Sequence, residues 1–394
     1  MPIFQCYIGS MRSLQPWIER DLQEKFVFLS GPRQVGKTHL AKAILQNIKG
    51  KYYNWDLAED RRQILAKNFL GDRFVVLDEL HKYDRWKSFL KGVYDKYHST
   101  LSVLVTGSAR MDIYRKGGDS LVGRYFLFHL HPLTMGEITS PSRILPPKDL
   151  FEDAASRGDP ALLESLMKFG GFPEPFYKGS EQAHARWSIQ RNELLVREDI
   201  RDLTNISLLS LIEHLLLLLP DRVGSILSIN ALKEDLRVAY NTVLSWLNTL
   251  ENLYLIFILK PYTQQLSRAI HKEKKLYLWD WSQVPSEGAR FENLVASHLW
   301  KAVQIWRDLG MGNFELFFLR DRDRREVDFL ITEAKKPWLL VEAKWGDTQI
   351  SESLDYFANR LQIPGIQLTA QSNVRKQSGR IQVLSADQWL AGLP

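Results

Sequence analysis

The chain contains one cysteine, Cys6, among 394 residues, so it cannot form an internal disulfide or a zinc site built from several thiolates. It also lacks an apolar run of the roughly 20 residues that a membrane helix needs. The nearest approach, residues 208–219, contains Glu213 and His214 and is followed by Pro220, which favours a buried helix. The N-terminus has no basic start followed by an apolar core, as a secretory signal would have. We therefore expect a protein of the reducing cytoplasm that makes no use of a membrane.

The composition is that of a folded chain. Hydrophobic residues make up 45% and charged residues 25%, which excludes wholesale disorder and collagen-like repeats. The length predicts two or three domains, because one hydrophobic core rarely organises so many residues. Lys and Arg number 52 against 46 Asp and Glu, a net charge of +6. This mild basic balance permits nucleic-acid binding without requiring it.

Strand-like and helical segments alternate over the first 140 residues, which predicts a parallel sheet covered by helices. The strand candidates are residues 25–30, 73–77 and 101–106, and a helix is predicted over 38–48. Three prolines in 141–150 indicate a linker. Residues 151–219 have a helical pattern, in which GGFPEPF (170–176) is predicted to be a rigid turn. Two short helices and a strand are predicted within 226–262.

A phosphate-binding loop follows the first strand candidate. The pattern G-x-x-x-x-G-K-[ST] is made by Gly31, Pro32, Arg33, Gln34, Val35, Gly36, Lys37 and Thr38. Glycines let backbone N–H groups curl around phosphate oxygens at the start of the following helix. Lys37 would then reach the β- and γ-phosphates of ATP, and the Thr38 hydroxyl would coordinate Mg²⁺.

An acidic pair completes such a site at the end of a second strand candidate. Asp78 and Glu79 follow the apolar residues 74–77. We expect Asp78 to hold the Mg²⁺ shell and Glu79 to act as the general base on the attacking water. Thr106 and Ser108 end the next strand candidate, where a hydroxyl can orient that water near the γ-phosphate.

An arginine acting on a neighbouring subunit's nucleotide is expected if the protein works as a ring or another oligomer. Arg124 is the candidate, with Arg110 as its competitor, and a surface salt bridge is the alternative for Arg124. The sequence leaves cis or trans action open. His81 is interpreted as a polar residue that supports the acidic pair.

The motifs resemble those of a widespread bacterial and archaeal family of AAA-type ATPases. The resemblance lies in GPRQVGKT, VVLDELHK, LVTGSAR and LVGRYFLFHLHPLTMGE, with GGFPEPF and VREDIRDLTNI similar to the family's middle region. It implies ATP hydrolysis and a C-terminal domain of unknown function that is itself similar to restriction-endonuclease folds. It does not imply a particular biological role.

The middle segment has the pattern of a winged helix-turn-helix. Apolar positions expected in its core are Leu232, Leu236, Val243, Trp246, Leu247 and Leu250, and polar positions expected on the exposed face of its second helix are Asn241, Thr242, Ser245 and Asn248. That face has no Arg or Lys, unlike a typical reader of the major groove. DNA contact and protein contact therefore both stay open, although the more basic stretch 254–275 could grip a phosphate backbone.

Carboxylates and a lysine recur in the C-terminal part. A helix with Glu292, three strands, a helix and a strand follow in the order of restriction-endonuclease-like nucleases. Asp328 and Glu342 are predicted to ligate Mg²⁺ or Mn²⁺. Lys344 would lie beside the attacking water, and Glu292 would support the metal or that lysine. The alternatives are a solvated edge pair and a domain that binds without cutting, and the charged run 320–325 either contacts phosphate or forms a solvated hairpin.

Together these patterns predict an α/β protein with a P-loop NTPase sheet, a helical and winged-helix middle and a restriction-endonuclease-like α/β domain. The predicted bounds are 1–145 for the ATPase domain, 146–222 for the helical region, 223–265 for the winged-helix-like module and 266–394 for the nuclease-like domain. The leading functional hypothesis is an ATPase that processes or remodels DNA, with DNA and further copies of the chain as partners. Two alternatives remain: a nucleotide-switched scaffold for protein partners with an inert C-terminal domain, and a nuclease that uses nucleotide only for assembly.

Overall fold

A computed structural model of the protein describes residues 12–108, 121–151, 158–195, 209–263 and 273–394. The chain divides into two compact units. The described residues up to Pro132, with Asn252–Tyr254, make the N-terminal unit; Leu133–Glu251 and Leu255–Pro394 make the C-terminal unit. Among the described residues, no helix combines the length and the apolar character needed to span a bilayer.

The N-terminal unit is built on a five-stranded parallel sheet in the order β2-β3-β4-β1-β5. Its strands are β1 (Phe26–Ser30), β2 (Lys51–Asn54), β3 (Phe74–Asp78), β4 (Ser102–Gly107) and β5 (Tyr125–His129). Its helices are α1 (Gln15–Asp21), α2 (Lys37–Asn47), α3 (Ala58–Leu65) and α4 (Trp86–Tyr97).

Strands β1 and β3 lie inside this sheet and are buried along their whole length, because helices cover both faces of a parallel sheet. All five residues of β1 and of β3 are buried. The predicted parallel sheet and its α/β class are confirmed, and the three strand candidates lie within one residue of β1, β3 and β4. Strands β2 and β5 were not predicted.

Seven helices of the described residues lead from the first unit's sheet to the second sheet. They are α5 (Met135–Thr139), α6 (Pro160–Phe169), α7 (Pro173–Lys178), α8 (Glu181–Leu194), α9 (Leu209–Leu218), α10 (Ile229–Leu236) and α11 (Tyr240–Asn252). The segment 170–176 was expected to be a turn throughout. Gly170, with φ of +71°, does make a turn, but Pro173 begins α7, since proline is well suited to the first helical position.

Helices α10 and α11 are followed by an antiparallel pair of strands, β6 (Ile256–Leu259) and β7 (Lys275–Leu278). Every position predicted for the core of this segment is buried: Leu232, Leu236, Val243, Trp246, Leu247 and Leu250. The polar positions on α11 are exposed or half-buried, as expected: Asn241, Thr242, Ser245 and Asn248. Helix α11 therefore presents an uncharged polar face to solvent.

The last part of the chain forms a six-stranded mixed sheet in the order β12-β13-β11-β10-β9-β8. Its strands are β8 (Phe314–Arg320), β9 (Glu326–Glu333), β10 (Lys336–Lys344), β11 (Gly365–Thr369), β12 (Arg375–Ser378) and β13 (Ile381–Ser385). Its helices are α12 (Glu287–Asp308), α13 (Glu352–Leu361) and α14 (Ala386–Leu390). The expected order of helix, three strands, helix and strand is present in α12 to β11, whereas β12, β13 and α14 were not predicted.

Buried polar side chains tie α12 to α5 within the C-terminal unit. The backbone N–H of Met135 donates to His298 Nε2 at 3.0 Å. Lys301 donates to Glu137 at 2.6 Å, and both side chains are 3% exposed. Both pairs are shielded from water and are directional, unlike an apolar contact. They therefore hold α12 and α5 in one relative position.

Candidate nucleotide site and carboxylate cluster

The predicted phosphate loop joins the end of β1 to the start of α2. At Gly31, where φ is +156°, a Cβ atom would lie 2.3 Å from the carbonyl oxygen of Leu130, so no side chain fits. Gly36 has a φ of +100°, a conformation that favours glycine. Each glycine of the motif is therefore required by the shape of the backbone.

The first turn of α2 is open to an anion. The N-cap residue Gly36 has no side chain, so the first backbone N–H groups of α2 receive no capping hydrogen bond from it. Lys37 is 6% exposed, and its ammonium donates to the carbonyl oxygens of Gly31 and Pro32 at 2.9 and 2.7 Å. A positive charge and a helix N-terminus thus meet inside one loop, which is the arrangement that binds phosphate.

Asp78 lies at the end of β3 beside this loop. Its Oδ2 accepts hydrogen bonds from Thr38 Oγ1 at 2.9 Å and from the Tyr52 hydroxyl at 2.5 Å, and its Oδ1 accepts one from Thr106. The carboxylate is 3% exposed and held in one orientation by three hydroxyls. Thr38 and Asp78 present the adjacent oxygen ligands that Mg²⁺ prefers, so the residues fit this ion.

Glu79 follows in a left-handed conformation, with φ of +58°. Its backbone N–H donates to the Thr106 carbonyl, and Ser108 Oγ donates to its Oε2 at 3.4 Å. Burial raises the pKa of Glu79, although Lys37 and Lys82 act to lower it. The structure thus brings Lys37, Thr38, Asp78, Glu79 and Ser108 to one edge of the sheet, as the sequence predicts.

His81 supports Glu79, as the sequence suggests. Its Nε2 lies 3.7 Å from Glu79 Oε2. Burial, with the nearby cations Lys82 and Lys37 acting in the same direction, lowers the pKa of His81 to about 4. The ring is therefore neutral at pH 7 and places a polar group, not a further positive charge, beside Glu79.

Arg124 does not reach the phosphate loop of its own chain. It precedes β5, whose Tyr125 pairs with Phe26 at the start of β1, whereas the loop begins after the last residue of β1. The length of the five-residue strand β1 separates the sheet edge at Arg124 from the edge at the loop by roughly 16 Å. The Nε of Arg124 donates to Asp95 at 2.7 Å, which is the surface salt bridge considered as its alternative. The competing Arg110 lies outside the described residues.

Tyr52 is a site residue that the sequence did not reveal. It belongs to β2, a strand of four residues with only one fully buried position. The parallel pairing of β2 with β3 brings its hydroxyl to Asp78. A tyrosine four residues from a predicted helix end carries no motif, so only the sheet order could have identified it.

In the C-terminal unit, Glu292 on α12 faces the side chains of β7. Asn293 fixes this relation, since its side chain accepts from the Leu278 N–H and donates to the Leu278 carbonyl oxygen, both at 2.8 Å. Lys275 and Tyr277 lie two residues apart on β7 and so point to the same face. The Tyr277 hydroxyl donates to Glu292 Oε1 at 2.7 Å.

Asp328 and Glu342 meet across β9 and β10. The N–H of Ala343 donates to Asp328 Oδ2 at 3.0 Å, and the N–H of Asp328 donates to Glu342 Oε2 at 3.2 Å. Lys344 donates to Glu342 Oε1 at 2.8 Å, so the two residues share a face as predicted. Burial raises the pKa of Glu342 to about 7, with the Asp328 charge adding to the rise. The four predicted residues Glu292, Asp328, Glu342 and Lys344 therefore form one carboxylate cluster.

The ammonium of Lys275 lies in the middle of this cluster. It is 2.7 Å from Glu326 Oε1, 3.2 Å from Glu292 Oε1 and 3.3 Å from Asp328 Oδ1. Burial lowers the pKa of Lys275, but the three carboxylates raise it more, so the pKa lies above its ordinary value and the side chain is charged. The side chain is 1% exposed, and the expectation that this end of the basic stretch 254–275 grips a phosphate backbone is wrong for Lys275.

The same observation corrects the expected metal site at Asp328 and Glu342. Each of their four carboxylate oxygens accepts from a donor of the chain: two backbone N–H groups and the ammonium groups of Lys275 and Lys344. Among the described residues, no group of three or more His, Cys, Asp or Glu side chains is arranged to hold a metal ion. The residues present do not fit a divalent ion alongside Lys275.

The charged run 320–325 forms the turn between β8 and β9. Arg325 pairs with Asp321 at 3.0 Å and with Asp323 at 3.2 Å. Arg320 lies 3.3 Å from Glu273 and 3.7 Å from Glu326. These contacts favour the solvated hairpin, because three of the six charged side chains of the run, Asp321, Asp323 and Arg325, pair with one another.

Three family models match successive parts of the chain. Residues 23–139 match an AAA domain. Residues 160–285 match a domain of unknown function, DUF8612, and residues 287–389 match another, DUF4143. The boundary between the last two falls between Lys275 and Glu292, so the ammonium and the carboxylates of the cluster come from different matched segments.

Similar sequences come from a bacterium and an archaeon. The uncharacterized protein Rv2008c of Mycobacterium tuberculosis is 21% identical over 369 residues, which cover 89% of this chain and 77% of that one. The uncharacterized protein MJ1637 of Methanocaldococcus jannaschii is 22% identical over 297 residues, or 66% of this chain and 61% of that one.

Two structures of RuvB from Thermotoga maritima, one titled a Holliday junction branch migration motor, are 15% and 16% identical. Each covers 62% of this chain and 85% of its own, with TM-scores of 0.32 and 0.31, values too low to carry an argument. The matched AAA domain instead coincides with the parallel sheet, the phosphate loop and the acidic pair described above. The N-terminal unit is therefore an AAA-type P-loop ATPase domain.

Proposed function

We propose that the N-terminal unit hydrolyses ATP in a Mg²⁺-dependent reaction with Glu79 as general base. The observation that carries the proposal is the convergence of Lys37, Thr38, Asp78 and Glu79 on the carboxyl edge of one parallel sheet. Chance motifs rarely bring these side chains together, since they come from two separate segments of the chain.

The residues divide the work between binding and chemistry. The N–H groups at the start of α2 and the Lys37 ammonium bind the phosphates, while Thr38 and Asp78 hold Mg²⁺, which supplies positive charge to the β- and γ-phosphate oxygens when bound. Glu79 accepts a proton from the attacking water, and Ser108, 3.4 Å from Glu79, orients that water. The raised pKa of Glu79 makes it a stronger base than an exposed glutamate.

Two variants separate binding from hydrolysis. Glu79→Gln keeps the shape of the site and removes the base, so turnover should fall about 100-fold or more while ATP affinity changes little. Lys37→Ala should weaken ATP binding itself. A fluorescent ATP analogue measures affinity and phosphate release measures turnover. Equal turnover in Glu79→Gln and the unsubstituted protein would contradict the proposal.

We propose further that Arg124 acts on the nucleotide of a neighbouring copy. Its position at the opposite sheet edge from its own loop supports action in trans. Mixing Arg124→Ala with Lys37→Ala should restore part of the activity, because Arg124 of the second variant can serve the intact loop of the first. Asp95→Asn is the matched control: it breaks the salt bridge and should leave turnover unchanged. Without recovery on mixing, Arg124 is only a structural partner of Asp95.

Our second proposal is that ATP hydrolysis is coupled to the binding of DNA. It is supported by two helices, α10 and α11, followed by the antiparallel β6–β7 pair, the order expected of a winged helix, and by the exposed polar side chains Asn241, Ser245 and Asn248 on α11. Because this face lacks Lys and Arg, we expect few phosphate contacts and a shallow salt dependence. We do not propose metal-dependent cleavage, because Lys275 lies where the metal would be.

Fluorescence anisotropy with labelled duplex, single-stranded and four-way-junction DNA tests this coupling. We expect binding at low salt that is weakened by the double substitution Asn241→Ala and Asn248→Ala, with Lys233→Ala on α10 as a control for general charge loss. If no DNA binds even at low salt, the nucleotide-switched scaffold for protein partners is the function that remains.

A further inference from the structure

The carboxylate cluster of the C-terminal unit gathers more negative charge than a protein interior tolerates without compensation. Glu292, Glu326, Asp328 and Glu342 converge on one site through β9, β10 and α12. Buried carboxylates are ordinarily stabilised by protonation, by a bound metal ion or by a cation of the chain. The contacts show that a cation of the chain occupies this site.

Lys275 supplies the cation, and its side chain is enclosed. It touches three of the carboxylates within 3.3 Å, while the Phe318 ring centroid lies 5.9 Å from the ammonium. The side chain is 1% exposed, so it cannot swing into solvent without opening the surrounding structure. An ammonium held in this way blocks the space in which a divalent ion would contact the same oxygens.

The strand that carries Lys275 is locked in place from both sides. Its residues 275–278 pair with all four residues of β6, and Asn293 makes two hydrogen bonds to the Leu278 backbone. Lys275 also forms an isolated bridge with Ile226. The ammonium is therefore held in place by the backbone of β7, whereas the carboxylates belong to α12, β9 and β10.

We propose that Lys275 is a built-in cation that replaces a divalent metal ion in the carboxylate cluster and keeps the cluster closed to Mg²⁺ and Mn²⁺. The cluster then has a structural role: without a metal ion, it holds β7 against the C-terminal sheet through Glu292, Asp328, Glu342 and Lys344, which are arranged as in a nuclease. This inference is independent of ATP hydrolysis, since it concerns a different site and makes no use of nucleotide.

Mn²⁺ binding measured without nucleotide, from the electron paramagnetic resonance signal of the unbound ion, tests the proposal. We expect the unsubstituted protein to bind Mn²⁺ no better than its Asp328→Asn variant. Lys275→Met keeps an unbranched side chain, one atom shorter than that of lysine, and removes the charge. It should gain one Mn²⁺ site per chain, at least about tenfold tighter than any site in the unsubstituted protein, as expected when hard oxygen ligands lose their competing cation.

Three further variants make the result specific. The gain should disappear in Lys275→Met combined with Asp328→Asn, because that oxygen would be a metal ligand. Lys275→Arg keeps the positive charge and should gain no site, and Lys274→Met alters the neighbouring lysine as a matched control. The melting temperature of Lys275→Met should be lowered and should rise again with Mn²⁺, whereas that of the unsubstituted protein should not respond.

The outcomes distinguish the proposal from its alternative. Mn²⁺ binding by the unsubstituted protein that is lost in Asp328→Asn would overturn it, whether or not Lys275→Met folds. A folded Lys275→Met variant with no gain of Mn²⁺ would overturn it as well. A variant that folds only when Mn²⁺ is present would support it, since the ion would then replace the ammonium directly.

Discussion

Removal of the Tyr52 hydroxyl tests whether Asp78 must be held in one orientation for hydrolysis. Tyr52→Phe deletes the hydrogen bond to Asp78 Oδ2 and leaves the ring in place, with the Lys42 ammonium still 5.2 Å from the ring centroid. A hydrogen bond to a charged group contributes about 1.5–3 kcal/mol. Thr38 donates to the same oxygen, so we expect the lower value in the protein without nucleotide.

The loss should be measurable when Mg²⁺·ATP is bound. The Thr38 oxygen would then help to hold the ion while its hydroxyl hydrogen can still reach Asp78, so Thr38, Tyr52 and Thr106 share the orientation of this carboxylate. An energy of about 1.5 kcal/mol corresponds to roughly a tenfold loss in kcat/KM. We therefore predict at least that loss for Tyr52→Phe, measured by phosphate release over a range of Mg²⁺ concentrations.

The neighbouring tyrosine provides the control. Tyr53 points to the opposite face of β2, where its ring lies 6.3 Å from that of Phe69. Tyr53→Phe should leave kcat/KM unchanged while altering the same strand. If both variants match the unsubstituted protein within twofold, the hydroxyl network around Asp78 has no role in the reaction.

Three further predictions concern the stability of the C-terminal unit. Burial lowers the pKa of His298 to about 3 from 6.5, so its stabilisation is present above pH 6.5 and is lost as the pH falls towards 3, by about 1.4 kcal/mol per pH unit. The difference in unfolding free energy between the unsubstituted protein and His298→Gln should show this slope between pH 7 and 5 in urea, since the other titrating groups are common to both proteins. A Cβ at Gly136 would lie 1.8 Å from a carbonyl oxygen, whereas Gly288 has open space. Gly136→Ala should therefore destabilise the unit by about 1–3 kcal/mol, and Gly288→Ala should stabilise it by about 0.5 kcal/mol, both measured by urea unfolding. Lys301→Met leaves Glu137 buried without its counter-ion and should cost about 3–5 kcal/mol; adding Glu137→Gln should recover part of this loss in the same assay.

The sequence revealed the nucleotide site well because its chemistry is local. The loop residues are contiguous, and Asp78 follows an apolar strand directly, so spacing alone placed them at one sheet edge. Strand β12 escaped prediction because all four of its residues are exposed and carry no apolar alternation. Its place in the sheet depends on pairing with β13, which a local pattern does not contain.

The burial of Lys275 in the carboxylate cluster also could not be predicted from a local sequence pattern. In the sequence it ends a basic run, where solvent exposure is the ordinary expectation for lysine. Its burial depends on the pairing of β7 with β6 and on Asn293, which lies 18 residues further along the chain. Motif reasoning found Glu292, Asp328, Glu342 and Lys344, but the ammonium that contacts two of these carboxylates came from a segment with no motif.

The two edges of the six-stranded sheet restrict how copies of this chain can join. The backbone at Lys260 and Tyr262 exchanges hydrogen bonds with Phe318 of β8, which covers part of one edge. At the other edge, Arg375 and Lys376 of β12 are exposed and oppose pairing with a second β12 by repulsion. Strand-by-strand growth into a fibre is thereby disfavoured, and uncharged β-branched residues at Arg375 and Lys376 would be expected to promote aggregation, not ordered assembly.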